Sequence, residues 1–154
     1  MAYNLNNKLV IAISSRALFD LEEENQIFEK NGLDAYYKYQ LENEDKSLKK
    51  GTGYRLVENI LKINNHFSND ERQVEVIILS KNNAATSLRI TNAINDLKLD
   101  IIRSAWTSGT NISNYLKAFK VDLFLSADDN DVLNAIENGV AAKILQYNEN
   151  INNS

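Results

Sequence analysis

The stretch LVIAISSRALF, residues 9–19, sets the expected fold of this chain. Its first five residues are apolar and rich in β-branched side chains, which is typical of a buried strand. The strand then ends in two hydroxyls and a guanidinium, Ser14, Ser15 and Arg16. Ligands of open α/β sheets bind outside the carboxyl ends of the strands. This polar tip could therefore do chemistry, hold a ligand or only turn the chain.

Four more apolar segments rich in β-branched residues follow along the chain, at residues 74–79, 101–105, 121–125 and 140–145. The run EVIILS is apolar almost throughout, which favours burial on both faces of a parallel sheet. Amphipathic helical patterns lie between these segments. Alternation of strands and helices predicts an α/β fold, a doubly wound parallel sheet of five strands.

The exception to this alternation is the segment of about residues 20–67, which contains helical stretches and no convincing strand. We expect a helical cap inserted after the first strand, with a loop near Lys49–Gly53. The acidic run LEEEN within it, residues 21–25, predicts a solvated helix face. The expected domain organisation is a single domain over residues 1–147, followed by a disordered tail at 148–154.

Composition excludes several functional classes for these 154 residues. The net charge of −4 and the pI near 5.1 argue against binding of a nucleic acid polymer. The absence of cysteine excludes thiolate catalysis and zinc–thiolate sites, and it fits an intracellular location. No stretch approaches the roughly 20 apolar residues of a membrane span. We therefore expect a cytoplasmic protein that binds no membrane.

Polar residues follow four of the predicted strands at one edge of the sheet. Hydroxyls and helix N-terminal N–H groups suit phosphate oxygens, and Arg16 could clamp a phosphate with two hydrogen bonds. The alternative for any single residue is a helix N-cap. The whole set favours a ligand pocket made of Ser14, Ser15, Arg16, Ser80, Lys81, Asn82, Asn83, Thr107, Ser108, Gly109, Ser126 and Asp128.

Side chains outside the strand ends carry weaker signals. Arg89 lies in the second predicted crossover helix, where ligand contact and surface exposure are both open. The cap tyrosines, Tyr36, Tyr37 and Tyr39, could stack on a nucleobase, whereas core packing is the better interpretation of Trp106.

Three stretches of the sequence together resemble the cytosolic 5′-nucleotidase type I family. They are SSRALF, the segment from Asn82 to Arg89, and YLKAFKVDLFLSADDNDV. The resemblance covers about residues 8–146 and only the N-terminal half of the family's proteins. Members look like haloacid-dehalogenase-like enzymes that remove phosphate from nucleoside monophosphates with magnesium. The resemblance implies strand order 3-2-1-4-5, a cap inserted after the first strand and a site at the strand ends.

The catalytic pattern of that superfamily departs from this sequence at decisive positions. Ser14 stands in place of the carboxylate nucleophile, and Arg16 in place of the aspartate that acts as general acid and base. The usual magnesium-binding acidic pair falls on Ser126 and Ala127. Lys117 is the best candidate for the phosphate-binding lysine.

These substitutions predict a nucleotide-binding protein that has lost hydrolysis and that binds or sequesters a nucleotide or a nucleotide-derived signal. It would need no cofactor and would self-associate. One alternative is an active 5′-nucleotidase that uses magnesium. Another is a non-catalytic partner subunit of a larger nucleotidase.

Overall fold

The computed structural model describes residues 5–83 and 87–145. Its elements in chain order are β1 (Leu9–Ile13), α1 (Ser15–Leu18), β2 (Phe19–Asp20), α2 (Glu22–Glu42), β3 (Lys49–Lys50), α3 (Tyr54–Leu61), two short 3-10 helices (Lys62–His66 and Asn69–Glu71), β4 (Val74–Ser80), α4 (Leu88–Asp96), β5 (Arg103–Trp106), α5 (Ser113–Ala118), β6 (Leu123–Ser126), α6 (Asp129–Glu137) and β7 (Ala141–Ile144).

Five of the strands form one parallel sheet in the order β5-β4-β1-β6-β7. The central strand β1 pairs on one side with β4, where Ile11 lies opposite Val76, and on the other with β6, where Ile11 lies opposite Leu123. When only these five strands are numbered in chain order, their order across the sheet is 3-2-1-4-5. The predicted fold class is thereby confirmed, and the order is consistent with a haloacid-dehalogenase-like core.

The apolar side chains of β1 and β4 point to both faces of the sheet because helices cover each face. Ile11 and Ile13 lie on one face, in a cluster that includes side chains of α3 and α4. Val10 and Ala12 lie on the other, with side chains of α5 and α6. Burial on both faces explains why the strand segments read as continuous apolar runs.

The segment between β1 and β4 differs in two ways from the predicted helical cap. Strands β2 and β3 form an antiparallel pair, where a loop was expected near Lys49. A strand of two residues is too short to produce a recognisable alternation of apolar and polar side chains. In addition, α3 packs on the sheet rather than on the cap, since Tyr54, Val57 and Leu61 are buried in the first cluster.

Helix α2 supplies the part of the insertion that lies over the strand ends, and it bends at Gly32. Gly32 has φ 87° and ψ −176°, a backbone conformation that is essentially confined to glycine. The bend divides the helix into two arms, so that side chains of both arms, Phe28 and Tyr36 among them, face the same space above the sheet.

Gly53 joins the insertion to the core by an unusually close backbone approach. Its N–H donates to the carbonyl oxygen of Ala17 at 2.7 Å. A Cβ atom at Gly53 would lie 2.8 Å from that same oxygen. Only a residue without a side chain fits there, and this fixes where the chain returns from β3 to α3.

Within residues 5–83 and 87–145, no helix is long and apolar enough to cross a membrane. The tail predicted at 148–154 lies outside the described residues, as do positions 84–86 of the family-like segment that begins at Asn82. The boundaries of the single domain stay a prediction.

Candidate functional site

A cavity of about 490 Å³ lies between the carboxyl ends of the strands and helix α2. Its volume falls in the range of small-molecule sites. Among the described residues, eleven of the predicted site residues line this cavity. They are Ser14, Ser15, Arg16, Ser80, Lys81, Asn82, Asn83, Ser108, Gly109, Ser126 and Asp128.

Three predicted site residues do not line this cavity. Thr107 is buried beside it and closes the turn after β5, because its Oγ1 donates to the carbonyl oxygen of Thr110 at 3.1 Å and its own carbonyl oxygen accepts from Thr110 Oγ1 at 2.8 Å. Lys117 is exposed on α5. Arg89 is buried on α4 and turned toward the cap.

Arg89 acts as a structural link between core and cap. Its Nη1 donates to Glu24 Oε1 at 2.7 Å and to Gln40 Oε1 at 3.0 Å, both on α2. The expectation that the LEEEN run is a solvated face is therefore wrong at Glu24, which is 5% exposed. A buried carboxylate is tolerated there because a guanidinium neutralises it.

Hydroxyl groups at the tips of three strands form the floor of the cavity. Ser14 Oγ accepts from the backbone N–H groups of Ala17 and Ala127, each at 3.3 Å. Ser15 Oγ lies 3.0 Å from Ser80 Oγ. No side-chain base among the described residues is hydrogen-bonded to Ser14, so its proton is available to a ligand but its oxygen is not activated as a nucleophile.

Arg16 lines the cavity and carries a buried donor that lacks a partner. Its Nη2 donates to Glu22 Oε1 at 3.1 Å, in an ion pair that is partly open to solvent. Its Nε is buried and has no hydrogen-bond partner within the described part of the chain. An unsatisfied buried donor costs about 1–3 kcal/mol, which an acceptor that reached this nitrogen would recover.

The acidic side chains at the cavity are already engaged. Asp128 is the N-cap of α6, and its carboxylate accepts the N–H of Asp131 at 2.9 Å. Asp131 in turn pairs with Lys81 Nζ at 2.7 Å. This ion pair connects the end of β4 to the first turn of α6, on the far side of β1.

Magnesium, which the family resemblance implies, does not fit these donors. Mg²⁺ prefers carboxylates and other oxygen ligands in octahedral geometry. Residues 5–83 and 87–145 contain no cluster of three or more histidine, cysteine, aspartate or glutamate side chains able to hold a metal. Asp128 is used as a cap and Asp131 as a counter-ion, and the Arg16 cation lines the same space.

Aromatic and apolar side chains of α2 form the opposite wall. Phe28 and Tyr36 meet edge to face with their ring centroids 5.9 Å apart, and Leu33 lies beside them. The Tyr36 hydroxyl donates to Asn82 Oδ1 at 3.3 Å and accepts from Gln40 Nε2 at 3.0 Å. Burial is the main cause that raises the pKa of Tyr36, so this phenol stays protonated.

The other two cap tyrosines do not reach the cavity. Tyr37 is exposed, and Tyr39 donates to Glu23 Oε1 at 2.9 Å on the outer side of the cap. Trp106 is half-buried and packs against the core, as the sequence favoured.

Sequence reasoning missed the remaining lining residues, which are Leu21, Glu24, Asn25, Phe28, Leu33, Leu79, Ala127 and Asp131. Half of them lie on α2, whose contact with the strand ends depends on the bend at Gly32. The position of Asp131 was predictable from the sequence, since it stands three residues after a potential N-cap aspartate and therefore in the first turn of a helix that begins at a strand end.

Comparison with known proteins gives the family of this chain. The family model described as 5'-nucleotidase matches residues 1–154. The chain is also 34% identical over 140 residues to cytosolic 5'-nucleotidase 1B of Homo sapiens, an alignment that covers 88% of this chain and 23% of that protein. The chain thus spans about a quarter of the length of this curated relative. The match extends over the whole sequence, and the chain belongs to the 5'-nucleotidase family.

Proposed function

We propose that this protein binds a nucleotide or a nucleotide-derived signal without hydrolysing it, and so acts as a binding or sequestering protein. The observation that carries the proposal is the buried, unpartnered Nε of Arg16 at the tip of the central strand. Arg16 lines the same cavity as Ser14, Ser15, Ser80 and Ser126. A phosphate oxygen is the acceptor that this combination suits best.

Loss of hydrolysis follows from the groups that occupy the reactive positions. Ser14 has no hydrogen-bonded base among the described residues, and arginine cannot donate a proton as an acid near neutral pH. The carboxylates of Asp128 and Asp131 are committed to a helix cap and to Lys81. The site can therefore attract an anion, but it lacks the nucleophile and the acid that phosphoryl transfer needs.

The shape of the cavity supports a nucleotide rather than inorganic phosphate. Its polar floor would take the phosphate, and the wall of Phe28, Leu33 and Tyr36 would take a flat, apolar base. Family membership supports the same ligand class. The name of the human relative supports a cytosolic location, which we propose for this chain as well.

Two alternatives from the sequence stay open to test. Family membership favours an active 5′-nucleotidase, and a non-catalytic partner subunit of a larger nucleotidase is the other alternative. Self-association also stays a prediction. Light scattering of the purified protein, alone and mixed with a catalytic nucleotidase subunit, measures both kinds of assembly.

The decisive experiment combines binding and turnover on one preparation. Calorimetric titration with a panel of nucleotides measures affinity, and release of inorganic phosphate with magnesium measures hydrolysis. We expect binding that Arg16→Ala abolishes and Arg55→Ala retains, since Arg55 is exposed on α3 and does not line the cavity. Enzyme-like phosphate release that is lost in a Ser14→Ala, Arg16→Ala variant would sink the proposal.

A further inference from the structure

The charges that line the cavity are unusual for a site that binds phosphate. Five charged side chains line the described part of it: the cations Arg16 and Lys81 and the carboxylates of Glu24, Asp128 and Asp131. Negative groups therefore outnumber positive ones. A dianionic phosphate monoester normally meets a surplus of cations, because like charges at close range repel.

Ion pairs consume almost all of this charge. Lys81 is paired with Asp131 at 2.7 Å, and the Asp131 side chain is only 13% exposed. Glu24 is neutralised by the buried Arg89. The outer nitrogen Nη2 of Arg16 is held by Glu22, and its inner Nε is buried without a hydrogen-bond partner within the described residues.

The remaining donors at the floor carry no charge. The hydroxyl of Ser14 already accepts two backbone amides, so its free capacity is to donate. Asp128 takes part in no ion pair within the described residues, and its negative charge lies at the cavity wall. The site thus offers one shared guanidinium and neutral donors to a ligand anion, beside a fixed negative charge.

We propose that the cavity selects a phosphate group with a single negative charge, as in the phosphodiester of a 3′,5′-cyclic nucleotide, over the dianionic phosphate of a 5′-monophosphate. This inference rests on the nucleotide-binding function proposed above and narrows its ligand class. A diester presents two unesterified oxygens, which can accept from the Arg16 guanidinium and from serine hydroxyls. A second negative charge would find no further unpaired cation among the described residues of the lining and would face Asp128.

Matched pairs of ligands separate the effect of the phosphate charge on affinity from the effects of the base and the sugar. The probes are adenosine and guanosine 5′-monophosphates, their 3′,5′-cyclic counterparts and the two nucleosides, titrated calorimetrically without magnesium at about pH 8 and about pH 5.5. The second pKa of a phosphate monoester lies near 6, so at the lower pH most of the monophosphate carries one charge. When the pH is lowered from about 8 to about 5.5, the affinity of the protein for a 5′-monophosphate is expected to rise roughly 50-fold, while its affinity for the cyclic counterpart stays nearly constant.

Histidine makes no contribution to this pH dependence at the cavity. The chain has one histidine, His66, which is exposed on a 3-10 helix and does not line the cavity. The charged groups that face the ligand are Arg16, Lys81, Glu24, Asp128 and Asp131.

A substitution in α6 tests directly whether the balance of charges at the cavity sets the preference between the ligands. Asp131→Asn keeps the shape of the side chain and releases Lys81, so affinity for the 5′-monophosphates at pH 8 is expected to rise about five- to tenfold relative to the cyclic probes. The matched control is Asp129→Asn, which removes a carboxylate from the same helical turn at an exposed position that does not line the cavity.

The possible outcomes divide cleanly. Cyclic probes that bind more tightly than 5′-monophosphates at pH 8, together with a reduced difference in Asp131→Asn, support the inference. Monophosphates that bind as tightly as cyclic probes at pH 8 overturn it and leave the nucleotide-binding function intact. Nucleosides that bind as tightly as cyclic probes also overturn it. Binding of none of these probes at either pH overturns the binding function and this inference with it.

Discussion

Arg89 Nη1 on helix α4 lies 2.7 Å from Glu24 Oε1 on helix α2, and their side chains are only 2% and 7% exposed. This buried ion pair joins the core to the helix that roofs the cavity. Gln40 accepts a second bond from the same nitrogen at 3.0 Å. The position of α2, and with it the cavity wall, therefore depends on a contact between residues that are 65 positions apart.

Removal of one partner of this pair should destabilise the protein strongly. Arg89→Met leaves the Glu24 carboxylate buried without a counter-charge, and we expect the free energy of unfolding to fall by about 3–5 kcal/mol. Urea denaturation measures the change. The control is Lys38→Met, which breaks an exposed pair with Glu42 at 3.8 Å and should cost less than about 1 kcal/mol.

Substitution of Arg16 should weaken nucleotide binding without destabilising the protein, in contrast to the loss of stability expected for Arg89→Met. Arg16→Met removes a buried donor without a partner and a partly exposed ion pair, so we expect the free energy of unfolding to stay constant or to rise by about 1 kcal/mol. Nucleotide affinity should fall at least tenfold in the same variant. Denaturation and calorimetry on one sample measure both quantities, and a clear loss of stability would mean that Arg16 is a structural residue.

The close backbone approach at Gly53 predicts a destabilising substitution outside the site. Gly53→Ala places a methyl group about 2.8 Å from the carbonyl oxygen of Ala17. Backbone on both sides must shift, which should cost about 1–3 kcal/mol of unfolding free energy. The comparison variant is Arg55→Ala, two residues further along on the exposed side of α3. Equal stability of the two variants would contradict this account.

The stability of the protein should also decline in alkaline solution, partly through Tyr36. Burial raises the pKa of Tyr36 in the folded state above its ordinary value of about 10. Above that pH the unfolded chain loses the phenolic proton and the folded chain keeps it, so ionisation favours unfolding and the free energy of unfolding falls as the pH rises.

Substitution at Tyr36 tests the sign and the origin of this slope. Tyr36→Phe should make the decline between about pH 9 and 11 shallower, because one of the contributing groups is gone. Tyr37→Phe removes a phenol from an exposed position of the same helix and serves as the control. An unchanged slope in Tyr36→Phe would show that this phenol ionises equally in both states.

Several predictions from sequence succeeded because they depend on local pattern. Apolar runs such as 74–79 identified the strands of the parallel sheet, and the rule that ligands bind at their carboxyl ends predicted that Ser14, Ser80 and Ser126 lie together. The expectation of a solvated acidic run failed at Glu24. A carboxylate becomes buried only when a distant cation neutralises it, and no local pattern specifies that partner.

The sequence alone determined the five strands of the parallel sheet and the polar character of their tips, since a parallel sheet covered on both faces demands long apolar segments with polar ends. The order of these strands was implied by the family resemblance. Only the tertiary structure decided how the charges pair. Whether Lys81 meets a ligand or Asp131, and whether Arg89 lines the cavity or supports its roof, depends on distances between helices that lie far apart in the chain. Coulomb interactions and desolvation both act through those distances, so the charge pattern of the site is a property of the assembled fold.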